Sequence, residues 1–403
     1  MKFNKWTMAL AATGVVSLAS AVQAEEAKQS VMTALSSTTL SGYVDTSAIW
    51  KFGTGNALVG RSYDGTGKQD GFNLNAVKLT LEKPVDEGNW SAGYKTDLLF
   101  GPDAGAFRGQ TLAGGDGSSL SIKQAYVALR APVGNGIDIK MGVFDTVVGY
   151  EVFDSVNNAN YSRSYGYFLE PLSHTGLLLS YQAADWVSFS AGVANTYNDA
   201  AINGRAVRVG HPGAPLITSA ESEKTYMASI NLTAPESWGS FQGTTLNLGA
   251  VNGLNGGPTD TTMLYAGLSA PTPMESVRVG LAYDHRLTSS TAAGFGSSYA
   301  WAGAAYVSFK ASEKLTLHSR AEYATGTDGT YGYLNGPNND NRNQLFGATL
   351  TADYSLWENV VTRAEFRWDT QLAGGADNTL ATHPFGHLDK NAISLALNVI
   401  YKF

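Results

Sequence analysis

The sequence predicts an all-β chain, a transmembrane antiparallel β-barrel of about sixteen strands (14–18) behind a cleaved N-terminal signal peptide. Three observations predict it. The last thirteen residues, Asn391 to Phe403, put Ile393, Leu395, Leu397, Val399, Tyr401 and Phe403 on one parity, with Ser394, Asn398 and Lys402 on the other. Successive side chains of a strand point to opposite faces, so this segment has one apolar and one polar face. Second, the spacers between such segments alternate between short and long without a break. Third, the 403 residues include 45 Gly, 20 Tyr and 16 Phe, with only 15% charged, which suits many strands, tight turns and aromatic girdles. An edge strand of a soluble sheet would show the first feature, but a soluble sandwich has no reason to sort its loops by length.

The N-terminus reads as a secretory signal. Lys2 and Lys5 supply the positive region, Met8 to Ala21 the apolar stretch and Val22-Gln23-Ala24 the small-residue pattern, so cleavage is expected after Ala24. Loss of the two lysines takes the formal charge from −7 to −9. An acidic chain without clustered cations is not built for a nucleic-acid partner. Residues 25–38 read as a periplasmic lead-in and 39–403 as one barrel, with no linker or composition shift inside it. There are no cysteines, hence no disulfide framework. Outside the N-terminus no window approaches eighteen uninterrupted apolar residues, so no helical span is expected in the mature chain.

Taken in order, the strands fall at 39–51, 71–83, 90–100, 119–131, 137–144, 174–182, 186–195, 224–233, 241–251, 262–270, 277–287, 299–310, 315–324, 344–355, 360–370 and 392–403. Short spacers such as Pro132–Gly136, where Asn135-Gly136 is a tight-hairpin signal, alternate with long ones at 52–70, 101–118, 145–173, 196–223, 252–261, 288–298, 325–343 and 371–391. Charge parity is the second test. On 137–144, Asp138 and Lys140 oppose Ile137, Ile139, Met141 and Val143; on 360–370, Arg363, Glu365, Arg367 and Asp369 oppose Thr362, Ala364, Phe366 and Trp368. The strands at 90–100, 277–287 and 315–324 sort in the same way. Lipid demands this, because a cation on the lipid face near the midplane costs about 2–4 kcal/mol. An unpaired backbone group in hydrocarbon costs several kcal/mol more, so the strands must close into a ring. Trp50, Trp90, Trp186, Trp301, Trp368 and Tyr401 sit where interfacial girdles are expected.

A ring of this size is too wide for side chains to fill and encloses water unless something plugs it. The expected role is passive diffusion of small hydrophilic solutes, with selectivity set at the narrowest section. Lys95, Arg278, Arg286, Arg320, Arg363 and Arg367 are the expected basic pore lining. The 145–173 spacer, with Glu151, Asp154, Arg163 and Glu170, is the expected constriction. An acidic loop facing a basic wall would set a transverse field across the lumen. The other reading is that the arginines pair locally with Asp284, Glu322, Glu365 and Asp369 on the same parity.

Gln124-Ala125-Tyr126-Val127, Gly142-Val143-Phe144, Gly149-Tyr150-Glu151, Asn157-Asn158, Tyr161-Ser162-Arg163-Ser164, Pro171 and His174-Thr175-Gly176 resemble the pattern of the OmpL-like β-barrel outer-membrane porins. The opening Gly42-Tyr43-Val44-Asp45 agrees, and the terminal Phe403 resembles the signal read by the barrel-assembly machinery. Specific matches cover residues 40–195 and the last strand. The resemblance implies a Gram-negative outer-membrane channel among lipid and lipopolysaccharide, with no catalytic residues. Trimers are common among porins, and nothing in the sequence marks an interface for a homo-trimer.

Three other functions remain in view. A barrel enzyme would want a nucleophile, a base and an acid at one rim. Asp284-His285 is the tempting pair, yet neighbours on a regular strand point to opposite faces. His174, His211, His318, His383 and His387 show no metal-ligand spacing beyond His383 and His387 in one loop, and no Gly-rich nucleotide fingerprint is present, so neither metal nor cofactor is expected. In a sugar-specific channel, Tyr161, Tyr165, Tyr167 and Phe168 would form an aromatic slide, or they would pack the loop against the wall. An adhesin displayed on a barrel is the third.

Overall fold

A computed structural model of the chain describes residues 31–32, 37–52, 68, 70–87, 90–110, 120–198, 202–206, 222–254, 259–290, 297–327, 343–373 and 391–403. The signal segment, its expected cleavage point after Ala24, most of the lead-in, His211, His383, His387 and much of the long spacers lie outside the described residues.

Sixteen strands form one antiparallel ring. They are β1 (Thr39–Phe52), β2 (Gly71–Lys83), β3 (Ser91–Phe100), β4 (Leu120–Ala131), β5 (Ile137–Asp145), β6 (Ser173–Ala184), β7 (Val187–Ala194) and β8 (Thr225–Thr233). They continue as β9 (Thr245–Leu254), β10 (Thr259–Pro271), β11 (Val277–Ser290), β12 (Ser298–Lys310), β13 (Leu315–Gly326), β14 (Asn343–Tyr354), β15 (Val360–Ala373) and β16 (Asn391–Lys402). Each pairs with its neighbours in sequence, and β16 returns to β1 with Ile393 opposite Phe52 and Lys402 opposite Tyr43. At the seam the Gly42 N–H donates to the Phe403 carbonyl at 2.9 Å and the Phe403 N–H to the Gly42 carbonyl at 3.0 Å. Any Cβ at Gly42 would run into the Lys78 carbonyl and the Phe403 ring, so only glycine lets the terminal aromatic lie there. A two-residue strand, Val31–Met32, adds to the start of β1.

The alternation read from the sequence sets the two faces. Outward side chains are large, apolar and exposed, such as Phe72 at 92% and Leu350 at 60%, as a lipid face requires. The inward parity carries the buried charges. Among the described residues four register shifts break the rhythm, and two of them reach the interior: one where Asp45 and Thr46 pair with Ala76 and Leu74, the other where Asp97 and Leu98 pair with Gln124 and Ile122. The extra residue in each, Asn75 and Lys123, is thereby buried in the interior beside its inward neighbour, Ala76 and Gln124.

Turns differ from expectation in two places. The Asn135-Gly136 hairpin turns through positive φ at Gly134 and Gly136, and Arg130 donates to the Asn135 carbonyl at 2.9 Å. The strand expected at 241–251 runs from Thr245, because Glu236–Phe241 forms a 3-10 turn made possible by positive φ at Gly239.

Candidate functional site

Between β5 and β6, residues 146–172 turn inward and meet inward-pointing side chains from much of the ring. The loop first holds its own shape. The Thr146 N–H donates to the Leu172 carbonyl at 3.3 Å and closes its base. The Asn158 side chain accepts from the Val152 N–H at 2.8 Å and donates to the Val152 and Asp154 carbonyls. Arg163, wholly buried, donates to the carbonyls of Val152, Phe153 and Tyr161 at 2.7–2.8 Å. Five donors on a planar fork suit a guanidinium to this binding of several carbonyls at once. Phe153 then packs edge-on against Phe107 at 4.8 Å, beside Leu99 and Ala104, while Val147 and Val148 join Val251 and Met263 of β9 and β10.

One set of anchors grips Asp154. It accepts from the Tyr43 hydroxyl and from Lys78, both at 2.8 Å, with Lys123 at 3.6 Å. Burial pushes its carboxyl up, but Lys123 and Lys78 and the hydrogen bonds from Lys78 and Tyr43 outweigh it and hold Asp154 well below the usual carboxylate range. Lys123 also reaches Asp145 at 2.6 Å.

A second set rises from β13 and β15. Arg320 donates to Glu151 at 2.7 Å, to the Ser162 carbonyl at 3.0 Å and to the Ser162 hydroxyl at 2.9 Å. Arg367 donates to the Arg163 carbonyl at 2.6 Å and Arg363 to the Ser155 carbonyl at 2.8 Å. The acids between them take the loop's backbone donors. Glu365 accepts from the Tyr161 and Ser162 N–H groups at 2.6 and 2.9 Å, and Glu322 accepts from the Tyr165 N–H. The Tyr165 hydroxyl donates to Asp369 at 2.6 Å. Buried charge is tolerated here because every ion is hydrogen-bonded and, Glu365 apart, also ion-paired.

The third attachment is of another kind. Glu170 faces Asp284, and any Cβ at Gly166 would strike the Asp284 carboxylate. Burial, then Asp284, then Glu151 push the Glu170 carboxyl well above its usual range. Protonated, it donates where a carboxylate would repel.

Several expectations change. Arg320, Arg363 and Arg367 are buried against the loop rather than facing open lumen, Arg320 being 1% exposed. Glu151 touches Arg320 instead of opposing it across water, so these charges do not form a transverse field spanning a gap. Local pairing holds for Arg320 on Glu322 and Arg367 on Asp369, while Arg363 takes Asp353 instead, Asp284 faces Glu170 and Glu365 takes the loop's backbone N–H groups. Tyr161, Tyr165 and Tyr167 are buried and pack the loop, leaving no slide for sugars. Lys95 pairs with Glu82 at 3.4 Å, while Arg278 and Arg286 remain half-buried on β11. Asp284 is buried inside whereas His285 meets the Tyr283 hydroxyl at 3.2 Å on the outer face, so the two form no dyad. Lys78, Lys123 and Tyr43 escaped sequence reasoning. Lys123 is the extra residue of a bulge, which strict alternation cannot foresee, but Tyr43 lies inside the Gly42–Asp45 motif.

Residues 37–403 match the family described as beta-barrel porin-2, OmpL-like. No curated protein matches the chain. Among solved structures it is similar to the outer membrane channel DcaP of Acinetobacter baumannii, with TM-score 0.59 at 11% identity over 91% of this chain and 97% of that one. The anion-selective porin from Comamonas acidovorans gives 0.59 at 12% identity, over 91% and 99%. The trimer form of OmpT from Vibrio cholerae gives 0.55 at 11%, over 91% and 99%. At such identity these likenesses speak for the fold alone.

Proposed function

The chain belongs to the beta-barrel porin-2, OmpL-like family of the outer membrane, and on that premise we propose that it passes small hydrophilic solutes by passive diffusion through a lumen narrowed by residues 146–172. The observation that carries the reading is the loop held inside the ring from two sides, by Lys78, Lys123 and Tyr43 at Asp154 and by Arg320 at Glu151. A loop fixed to two separate parts of the wall sets a constant aperture, which a diffusion channel needs and a flexible lid would not supply. Lys95, Arg278 and Arg286 are the basic groups that tune ion preference beside it in this reading. The protein is no enzyme in this reading, since the one acid–histidine pair on a strand is split between two faces.

The reading extends to maturation and assembly. Residues 1–24 are removed after Ala24, residues 25–38 stay periplasmic, and 39–403 insert as one barrel with Phe403 as the signal for the assembly machinery. Lipid and lipopolysaccharide surround the barrel. A homo-trimer fits the class, as the trimer form of OmpT illustrates. Single-channel conductance of the refolded full chain with a series of neutral solutes tests the function. Ohmic steps with a sharp solute-size cut-off are expected; a barrel that inserts but never conducts would overturn it.

A further inference from the structure

Most cations buried in the lumen are already spoken for. Lys78, Lys123, Arg130, Arg320, Arg363 and Arg367 each lie within ion-pair distance of a carboxylate. Arg278 has no carboxylate and no hydrogen-bond partner among the described residues. It stands one residue into β11, just after the short turn at 272–276, the side on which barrels of this class keep their tight periplasmic turns. Ser308 pairs with it across β12 and Pro271 across β10. Above it a pocket opens under the constriction loop, lined by Tyr150, Glu151, Asn160, Ser269 and Ser308 together with Arg278 itself.

The pocket is shaped by what surrounds that arginine. Tyr150 stacks on Tyr306 at 4.3 Å and 21°. Its hydroxyl lies where any Cβ at Gly280 would be, so the glycine is what seats the loop tyrosine beside the guanidinium. Glu151 contributes the one acid of the lining, and its charge is taken by Arg320 at 2.7 Å. What remains is a single uncompensated planar fork of donors, flanked by hydroxyls and an aromatic pair.

We infer that Arg278 is a binding subsite, on the periplasmic side of the constriction, for the carboxylate of small organic monoanions. A guanidinium matches a carboxylate with two parallel hydrogen bonds. One free cation beside a neutralised Glu151 favours a monoanion over a phosphate dianion, which would bring a second charge against that acid. A channel subsite must also release its solute, and a single half-exposed arginine binds weakly enough to do so. The inference rests on the proposed channel, and names the class of solute it favours.

Benzoate, with benzamide as its neutral isostere, tests it on the detergent-folded full chain. Saturation-transfer NMR should show benzoate bound and benzamide not, with Arg278→Gln weakening benzoate at least about tenfold, the loss of one bidentate contact. Arg278→Lys should keep part of the affinity and Lys140→Gln all of it, since Lys140 lies over the Tyr126 ring on β5, away from the pocket. In bilayers, benzoate should reduce the chloride current of the wild type at lower concentration than that of Arg278→Gln. Equal binding of benzoate and benzamide, or an unchanged Arg278→Gln, overturns the subsite. A barrel that never conducts but binds benzoate through Arg278 upholds the subsite and removes the channel; a conducting barrel with no arginine-dependent binding does the reverse.

Discussion

Arg320 and Glu151 are 169 residues apart in the chain and 2.7 Å apart in the lumen, one on the wall and the other on the loop. Removing the arginine leaves Glu151 buried without its counter-charge and Glu322 with only Arg367 at 3.4 Å, a loss of about 3–5 kcal/mol for such a broken pair. The sixteen-strand ring does not depend on that contact, so the loop should pay first. Arg320→Ala should keep a heat-modifiable folded barrel while trypsin gains access to Arg163 and the single-channel conductance changes. An unaltered conductance together with a trypsin-resistant Arg163 would refute the anchor.

The two ends of the loop should respond to pH with opposite sign. Asp154 is depressed in the folded state, so its stabilisation is complete above the ordinary aspartate value of roughly 3.9 and fades only as pH falls far below it. Glu170 is raised, so the folded state holds its proton more tightly, and the stabilisation present below roughly 4.3 is lost as pH climbs toward its elevated value. Hydrogen-exchange protection of residues 166–172 should fall as pH rises above the ordinary glutamate range, while that of 152–158 stays level. In Glu170→Gln the first trend should weaken, because the amide has no proton to lose and donates to Asp284 at either pH.

The seam between β16 and β1 depends on a side chain that is absent. Gly42→Val would place its branch against the Lys78 carbonyl and the Phe403 ring. Overpacking of this kind costs about 1–3 kcal/mol. The urea midpoint of the folded band on gels should drop, and refolding should slow, because closure is where the mismatch falls. Phe403→Ala should spare the midpoint more than Gly42→Val does.

The lipid face is testable with one charge. Leu350 points outward from the middle of β14, so Leu350→Lys should cost about 2–4 kcal/mol in lipid vesicles. A soluble-sheet surface would accept the lysine within about 0.5 kcal/mol. Urea titration in vesicles separates the two, and near-neutrality would speak against the membrane reading itself.

The ring was legible residue by residue. Ile393 through Phe403 announced their two faces, and charge parity on β11, β13 and β15 put Arg278, Arg320, Arg363 and Arg367 inside. The loop was legible as a long spacer with Glu151, Asp154 and Glu170 in it, but its seat was not. Nothing local to Asp154 points to Tyr43, Lys78 or Lys123, which come from three other strands, and Lys123 faces inward only because a bulge shifts the register beside Asp97. The aromatic run from Tyr161 to Phe168 was equally consistent with a slide and with packing, and contact alone resolved it.

By itself, then, the order of residues determined the architecture: alternation is a local property, each pair of neighbours reports which solvent each face meets, and unpaired backbone in oil compels closure. Tertiary structure decided which inward charges are spent on holding the loop and which, like Arg278, are left to meet a solute. That division depends on distances between strands far apart in the chain, and no period of two carries that information.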